Sequence, residues 1–229
     1  MINNTEFWSL YATVYDTLLS LRPYTGMLDE MVAGLGGPRG EWVLDAGCGS
    51  GNLTRRLLDE GYRVEAVDYS HGMLKRASLK CPEAGCRPAN LDRALACPDA
   101  TYSAVTCSNV LYSLPNPKTT AKELFRVLKP GGVLVLSNPI RGFNMGQILS
   151  HHWGQQDVPG KLRMLLRVPG YLLLAAFNLL ILRKDQMKNL YYPDPLELEQ
   201  MLQDSGFEEV VVRSTYAGQG WLALAHKPA

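Results

Sequence analysis

The sequence predicts an α/β fold of the doubly wound kind, a mostly parallel sheet with helices on both faces. Three observations carry that expectation. Short runs rich in Val and Leu alternate with amphipathic helical stretches along much of the chain. The first run ends in a glycine-rich bend that leads directly into a helix pattern. The last two runs follow one another with no helix between them, which predicts an antiparallel hairpin at the sheet edge. With 229 residues, of which 46% are hydrophobic, residues 1–229 read as one domain around one core. An N-terminal helical cap over 1–40 and a helical insertion over 140–192 complete the plan.

The elements follow in order. Trp42-Val-Leu-Asp-Ala-Gly and Arg63-Val-Glu-Ala-Val-Asp are apolar runs of strand length, as are Tyr102-Ser-Ala-Val-Thr-Cys-Ser and Gly132-Val-Leu-Val-Leu-Ser-Asn. Leu53, Leu57 and Leu58 mark one helical stripe, and Ala121, Leu124, Phe125 and Leu128 mark another. The second helix should stop at Lys129, because Pro130 disfavours helical geometry before it and Gly131-Gly132 permits the turn. Asp194-Pro195-Leu196-Glu197 has an N-cap acid, proline at N1 and glutamate at N3. Leu198, Met201 and Leu202 give that helix its buried stripe, and Gly206 closes it. Phe207 to Ser214 and Trp221 to His226 finish the sheet.

Composition excludes several classes. The 23 basic and 22 acidic residues leave +1, so no global field attracts a nucleic-acid backbone. Cys48, Cys81, Cys86, Cys97 and Cys107 form an odd set without CxxC, so neither a disulfide framework nor a metal site is indicated. Met1-Ile-Asn-Asn-Thr-Glu lacks the basic-then-apolar signature of a secretory signal, and a reduced, cytoplasmic setting is expected.

The chemistry concentrates in Asp45-Ala-Gly47-Cys-Gly49-Ser-Gly51, between the first strand and the first helix of the alternating pattern. Bare backbone at alternate positions lets a ligand approach closely, and the free N–H groups of the following helix favour an anionic group there. The dinucleotide pattern G-x-G-x-x-G/A fails, because its last position counted from Gly47 is Asn52. An acid before the first glycine can receive an ammonium. Asp68, ending the second strand, can bond vicinal ribose hydroxyls. A ligand with ribose at one end and a zwitterionic amino acid at the other meets both demands, and S-adenosylmethionine is such a molecule.

Val43-Leu-Asp-Ala-Gly-Cys-Gly-Ser-Gly51 resembles the first motif of the class I S-adenosylmethionine-dependent methyltransferases. Val64-Glu-Ala-Val-Asp-Tyr-Ser-His-Gly-Met-Leu74, Asn90-Leu-Asp92 through Pro98-Asp99, and Val110-Leu-Tyr-Ser-Leu-Pro-Asn-Pro with Glu123 to Gly132 resemble its later blocks. The likeness spans about 41 to 138 and is nearest to the small-molecule branch that includes the quinone-biosynthesis enzymes. It implies a seven-stranded Rossmann-like sheet, S-adenosylmethionine as cofactor and S-adenosylhomocysteine as product. It also implies cofactor contacts from Asp45, Gly47, Cys48, Gly49, Gly51, Asp68, Tyr69, Met73, Asn90, Leu91 and Ser108. Tyr11 and Tyr15 match the N-terminal segment that closes over the cofactor, and core packing is the competing reading for both. Cys48 has a second reading as a small packing residue. Asn90 and Ser103 stand where the family usually has acids.

The 53 residues from 140 to 192 depart from the shared pattern. They hold seven basic residues against Asp157 and Asp185, a local +5 that leaves −4 elsewhere in a chain of total +1. Tyr171 to Leu182 has Asn178 as its only strongly polar side chain, and a helix apolar all round must be covered. A buried lid helix or homodimer contact, a wall around a lipophilic substrate, and peripheral membrane contact through 161–188 all stay open. His151 and His152, with Tyr191 and Tyr192, are the candidates for a general base. The expected activity is methyl transfer to a small hydrophobic acceptor at oxygen, nitrogen or carbon. A non-methylating cyclisation or rearrangement on the same fold is the alternative. Nucleic-acid partners are not expected, since Cys107-Ser-Asn-Val-Leu replaces the Asn/Asp-Pro-Pro-aromatic signature.

Overall fold

A computed structural model of the chain describes residues 5–38, 40–183 and 190–229. Its strands are β1 (Trp42–Ala46), β2 (Arg63–Asp68), β3 (Gly85–Pro88), β4 (Tyr102–Ser108), β5 (Leu128–Pro139), β6 (Glu208–Thr215) and β7 (Gly220–His226). They form one sheet in the order β3-β2-β1-β4-β5-β7-β6. β1 to β5 pair in parallel, and β7 lies antiparallel between β5 and β6. The expected doubly wound, seven-stranded sheet and its closing hairpin are both present.

Alternation along each strand sorts side chains into two layers. Val43, Val64, Ala104, Val135 and Leu222 face α1 (Thr5–Tyr15), α2 (Arg22–Ala33) and α3 (Asn52–Asp59). Leu44, Val67, Val105, Leu134, Leu136 and Ala223 face α5 (Pro117–Val127) and α9 (Pro195–Gln203). α4 (His71–Lys80) covers Ala66 with Leu74 and Ala77. Because β1 has β2 on one side and β4 on the other, the strand order reverses there. A crevice therefore opens beyond the C-terminal ends of β1 and β4.

Some boundaries differ from expectation. α5 ends at Val127 rather than Lys129, and Leu128 already pairs with Tyr102 in the sheet. The C-terminal segment causes this: Lys227 Nζ donates to Leu128 O at 2.7 Å and Gly131 N donates to Lys227 O at 3.0 Å. Residues around Pro130 thus find partners outside the helix. β3 carries the sequence Gly-Cys-Arg-Pro, with no apolar run to signal it, and is held at the edge by pairing with β2. The capping box of α9 forms as expected, Asp194 Oδ1 accepting from Glu197 N at 2.9 Å and Glu197 Oε2 accepting from Asp194 N at 3.0 Å.

The insertion contains three helices, α6 (Met145–Gly154), α7 (Val158–Leu166) and α8 (Val168–Arg183). Pro169-Gly170 sits in the first turn of α8, where proline needs no N–H donor, and the break between α7 and α8 falls at Arg167. α8 is covered on one face only: Tyr171, Leu174 and Phe177 are buried, whereas Leu172, Leu173, Leu179 and Leu180 are exposed. Lys184, Asp185 and Lys188 of the basic flank, and residues 1–4 of the cap, lie outside the described residues. No single described helix is long and apolar enough to cross a membrane.

Asp194→Ala removes the side-chain half of the α9 capping box and should cost about 1 kcal/mol of unfolding free energy in a denaturant titration.

Candidate active site

The bend after β1 is fixed from β2. Gly47 N and Cys48 N both donate to Val67 O, at 2.8 and 2.9 Å, and Gly49 N donates to Asp68 Oδ2 at 2.9 Å. The other Asp68 oxygen accepts from Ser70 N at 2.8 Å, so this carboxylate joins the ends of β1 and β2. Burial raises the Asp68 carboxyl, and the N–H donors of Ser70, Gly49 and Tyr69 oppose that shift. Gly47 has φ +79°, and a Cβ there would lie 2.3 Å from Val110 Cγ2. Only glycine lets the residues after β4 close against this bend.

Asp45 lies behind the bend. It is fully buried, with Oδ2 accepting from Thr54 Oγ1 at 2.6 Å and Oδ1 from Thr106 Oγ1 at 3.0 Å. It does not line the cavity, so the expected direct reception of an ammonium is replaced by a role in joining β1, β4 and α3. Burial pushes its carboxyl up to about 6, against the opposing threonine bonds.

The N-terminal cap is tied to the same loop. Asp16 Oδ1 accepts from Ser50 Oγ at 2.5 Å and from Lys80 Nζ at 2.9 Å. Lys80 also reaches Asn52 Oδ1, and Asn52 Nδ2 donates to Tyr24 Oη at 3.3 Å. At the other end of α1, Ser9 Oγ accepts from Gly72 N at 3.1 Å, where a Cβ on Gly72 would meet Ser9 Cα at 2.6 Å. These contacts put Trp8, Tyr11 and Tyr15, spaced i, i+3, i+7, over the crevice.

The resulting cavity gathers Gly47, Gly49, Asp68, Tyr69, Met73, Asn90, Leu91, Ser108, Tyr11 and Tyr15, all expected from sequence. Asp45, Cys48 and Gly51 stand outside it. Cys48 packs against Ala66, Leu74 and Ala77, its thiol pushed up by burial. Gly51, at φ +82°, lets α3 start close to α4: a Cβ there would be 3.1 Å from Ala77 Cα. Neither histidine lines the cavity. His151 is exposed, and His152 is buried on another side of α6, its Nδ1 accepting from Arg22 N at 3.2 Å. Burial and the nearby cations Arg22 and Arg167 lower the His152 pKa. Of the tyrosine pair, Tyr192 lines the cavity, stacked on Tyr112 at 5.9 Å, and Tyr191 does not.

Several lining residues had escaped the sequence reading: Asp92, Asn109, Tyr112, Phe143, Asn178 and Tyr216 among them. Asp92 and Tyr112 lay inside quoted motif blocks, and Asn178 was the lone polar residue of an apolar helix. The others carry no local signal. Asn109 sits at φ +54°, a conformation asparagine tolerates, with its N–H donating to Ser137 O at 2.9 Å.

Residues 44–136 match the family described as methyltransferase domain. The ubiquinone biosynthesis O-methyltransferase of Idiomarina loihiensis is 29% identical over 134 residues, 56% of this chain and 54% of that protein. The 2-methyl-6-phytyl-1,4-hydroquinone methyltransferase of Synechocystis sp. is 38% identical over 104 residues, 44% of this chain and 33% of that protein. Over residues 44–136 the chain is similar to the class I S-adenosylmethionine-dependent methyltransferases. Its fold also matches Haemonchus contortus phosphoethanolamine N-methyltransferase 2 in complex with S-adenosyl-L-methionine, with TM-score 0.68 and 14% identity over 100% of this chain and 59% of that one. The chain spans about half or less of the length of the two curated relatives.

The cofactor of this class is S-adenosylmethionine, and the lining of the methyltransferase domain fits it. Asp92 Oδ1 is buried with no hydrogen-bond partner among the described residues, beside Asn90 and Leu91, an acceptor suited to the adenine amine. Asn90 Oδ1 accepts from Asp92 N at 3.0 Å, which leaves the Asn90 amide N–H groups for the ring. Asp68 would hold the ribose diol, and the bare Gly47–Gly49 backbone the amino-acid end.

Asp68→Ala should raise the Kd for S-adenosylhomocysteine at least about ten-fold in calorimetry, since bonds to a charged acceptor are the stronger ones. An unchanged Kd would remove the carboxylate from the ligand. The raised Asp45 carboxyl keeps its proton in the folded chain between about pH 4 and 6, where the unfolded chain has lost it. The folded state then binds more protons, so this group lowers stability as pH rises through that window. Relative to Asp45→Asn, the wild type should lose about 3 kcal/mol between pH ~4 and ~7 in denaturant unfolding.

Proposed function

We propose that the protein transfers a methyl group from S-adenosylmethionine to a small lipophilic acceptor bearing an acidic hydroxyl, of the phenol or hydroquinone kind. The observation that carries this is the lining beyond the cofactor residues. It is aromatic and apolar, with Tyr112, Phe143, Met145, Pro139, Tyr192 and Tyr216. Its polar groups there include Asn109, Ser113 and Asn178. The only charged lining side chains among the described residues are Asp68 and Asp92, both on the cofactor side. Burial holds the hydroxyls of Tyr15, Tyr112 and Tyr216 well above the ordinary tyrosine range, so they stay protonated.

Bound S-adenosylmethionine supplies an activated sulfonium methyl, which needs an aligned nucleophile more than a strong base. In well-oriented systems alignment is worth up to ~7–11 kcal/mol. In this chain the stacked Tyr112 and Tyr192 rings offer one aromatic wall to a planar acceptor, and Asn109 and Asn178 can bond its oxygens. An acceptor that ionises readily in solution needs no proton taken by the protein. The quinone-type acceptors for which the similar methyltransferases are named agree with such a molecule. On this reading the acceptor is drawn from a lipid phase and the protein works peripherally at its surface.

Incubation with S-adenosylmethionine and a prenylated or phytylated hydroquinone should release S-adenosylhomocysteine together with the methyl ether or ring-methylated product. Conversion of the acceptor without S-adenosylhomocysteine would favour a rearrangement instead, and turnover confined to hydrophilic amines would sink the acceptor class. His151→Gln and His152→Gln should each keep turnover within about two-fold, since neither ring reaches the cavity.

A further inference from the structure

A second cavity lies between the N-terminal cap and the insertion, and it shares no lining residue with the candidate active site. Arg22 reaches it from the first turn of α2, Arg163 from α7, and Arg167 from the junction of α7 and α8. His152 on α6 and Gln156 just after that helix complete its polar lining on one side. The buried Gly160, Met164 and Tyr171 also border it, which puts it on the inward side of α7 and α8.

The polar groups of this cavity are donors with too few acceptors. No carboxylate lines it, and among the described residues no salt bridge ends on Arg22, Arg163 or Arg167. Arg22 donates from Nη1 to Gln155 O at 3.1 Å, which leaves most of its guanidinium N–H groups free. Asp157, the only acid between 140 and 183, instead caps α7 by accepting from Gly160 N at 2.8 Å. His152 supplies an independent sign, since it is only 5% exposed. Its Nδ1 accepts from Arg22 N at 3.2 Å and lies 3.3 Å from Gln156 Nε2, so the neutral ring carries its proton on Nε2. No hydrogen bond among the described residues uses that Nε2 donor. Three guanidiniums without an acid and a buried ring with an unused N–H call for a ligand that brings acceptors and negative charge.

We infer that this cavity binds a small, soluble phosphate monoester, its phosphoryl oxygens held by Arg22, Arg163, Arg167 and the His152 Nε2–H. A phosphoryl group suits the donor set better than a carboxylate. It offers three strong acceptor oxygens and nearly two negative charges to three cations, and the planar guanidinium fork pairs with such oxygens two at a time. The inward position selects a soluble molecule over a lipid headgroup. Arg22 belongs to the cap and Arg163 and Arg167 to the insertion, so the bound phosphoryl group joins the two. The inference stands apart from the choice of methyl acceptor.

Calorimetry of the full chain with inorganic phosphate at physiological ionic strength tests it. The wild type should bind phosphate saturably, with a Kd of about 1 mM or lower. Glycerol 3-phosphate should compete for the site, and acetate should not. Arg163→Gln combined with Arg167→Gln should raise the Kd at least about ten-fold, since bonds to charged groups are the stronger ones. Lys161→Gln, on the same helix but outside the cavity, should leave it within about two-fold, because its exposed charge is screened. S-adenosylhomocysteine should bind every variant with wild-type affinity; if the arginine pair fails this, Arg163→Gln alone decides. Absence of saturable phosphate binding would overturn the inference. So would acetate binding as tightly as phosphate, or an equal loss in Lys161→Gln. Pelleting on phosphatidylglycerol vesicles by a chain that binds neither soluble phosphate would assign the arginines to a lipid headgroup and overturn it as well.

Discussion

The cavity depends on the bare bend after β1 and on the carboxylate of Asp68 that pins it. Asp68 takes one N–H from the bend and one from the start of α4, so it sets the separation of two strand ends with a single side chain. That arrangement works only in the observed register, with Ala46 opposite Val67. A slip of one residue would turn Asp68 to the other face and leave the Gly49 donor unpaired. Gly47 adds the second condition, because its missing side chain is the space that Val110 fills.

The position of the N-terminal cap follows from that bend. Ser50, within the glycine loop, donates to Asp16, and Lys80 at the end of α4 joins the same carboxylate. The cap is therefore held by the loop it covers. Order in the loop and order in the aromatic lid should rise and fall together. Tyr15 and Tyr24 pack edge to face at 6.3 Å, and Tyr24 continues to Tyr216 at 5.9 Å, which extends the contact from cap to hairpin.

What was legible in the sequence was what short-range pattern dictates. The buried parallel strands, the capped α9, the glycine bend and Asp68 each rest on residues within one or two turns of one another. Asp45 shows the limit. Its place before the first glycine suggested contact with ligand, but its partners Thr54 and Thr106 come from α3 and β4, and only the assembled sheet brings them to it. His151 and His152 were equally uninformative as a pair, since adjacent helical positions point some 100° apart and neither direction meets the cavity. β3 went unread because its Gly-Cys-Arg-Pro carries no strand pattern and forms through its partner β2.

Asn178 ties the two halves of the cavity together. In the sequence it is a polar interruption in an apolar helix. In the structure it donates from Nδ2 to Leu174 O at 2.9 Å and lines the cavity together with Tyr11. Phe177, beside it, packs on Tyr11 with ring centroids 5.6 Å apart, and Tyr171 meets Ser20 at 2.9 Å. The insertion that borders the acceptor side is thus fastened to the cap, and the cap to the cofactor loop. Among the described residues the lining beyond the cofactor residues holds no carboxylate or imidazole, so a transferase working there has orientation as its main resource. Contacts from Ser50 to Asp16, from Tyr15 to Tyr11 and from Tyr11 to Phe177 are how this fold fastens the glycine loop, the cap and the insertion together. The same fastening turns Leu172, Leu173, Leu179 and Leu180 outward, so part of the apolarity of α8 is directed to the surface by the contacts that hold the helix in place.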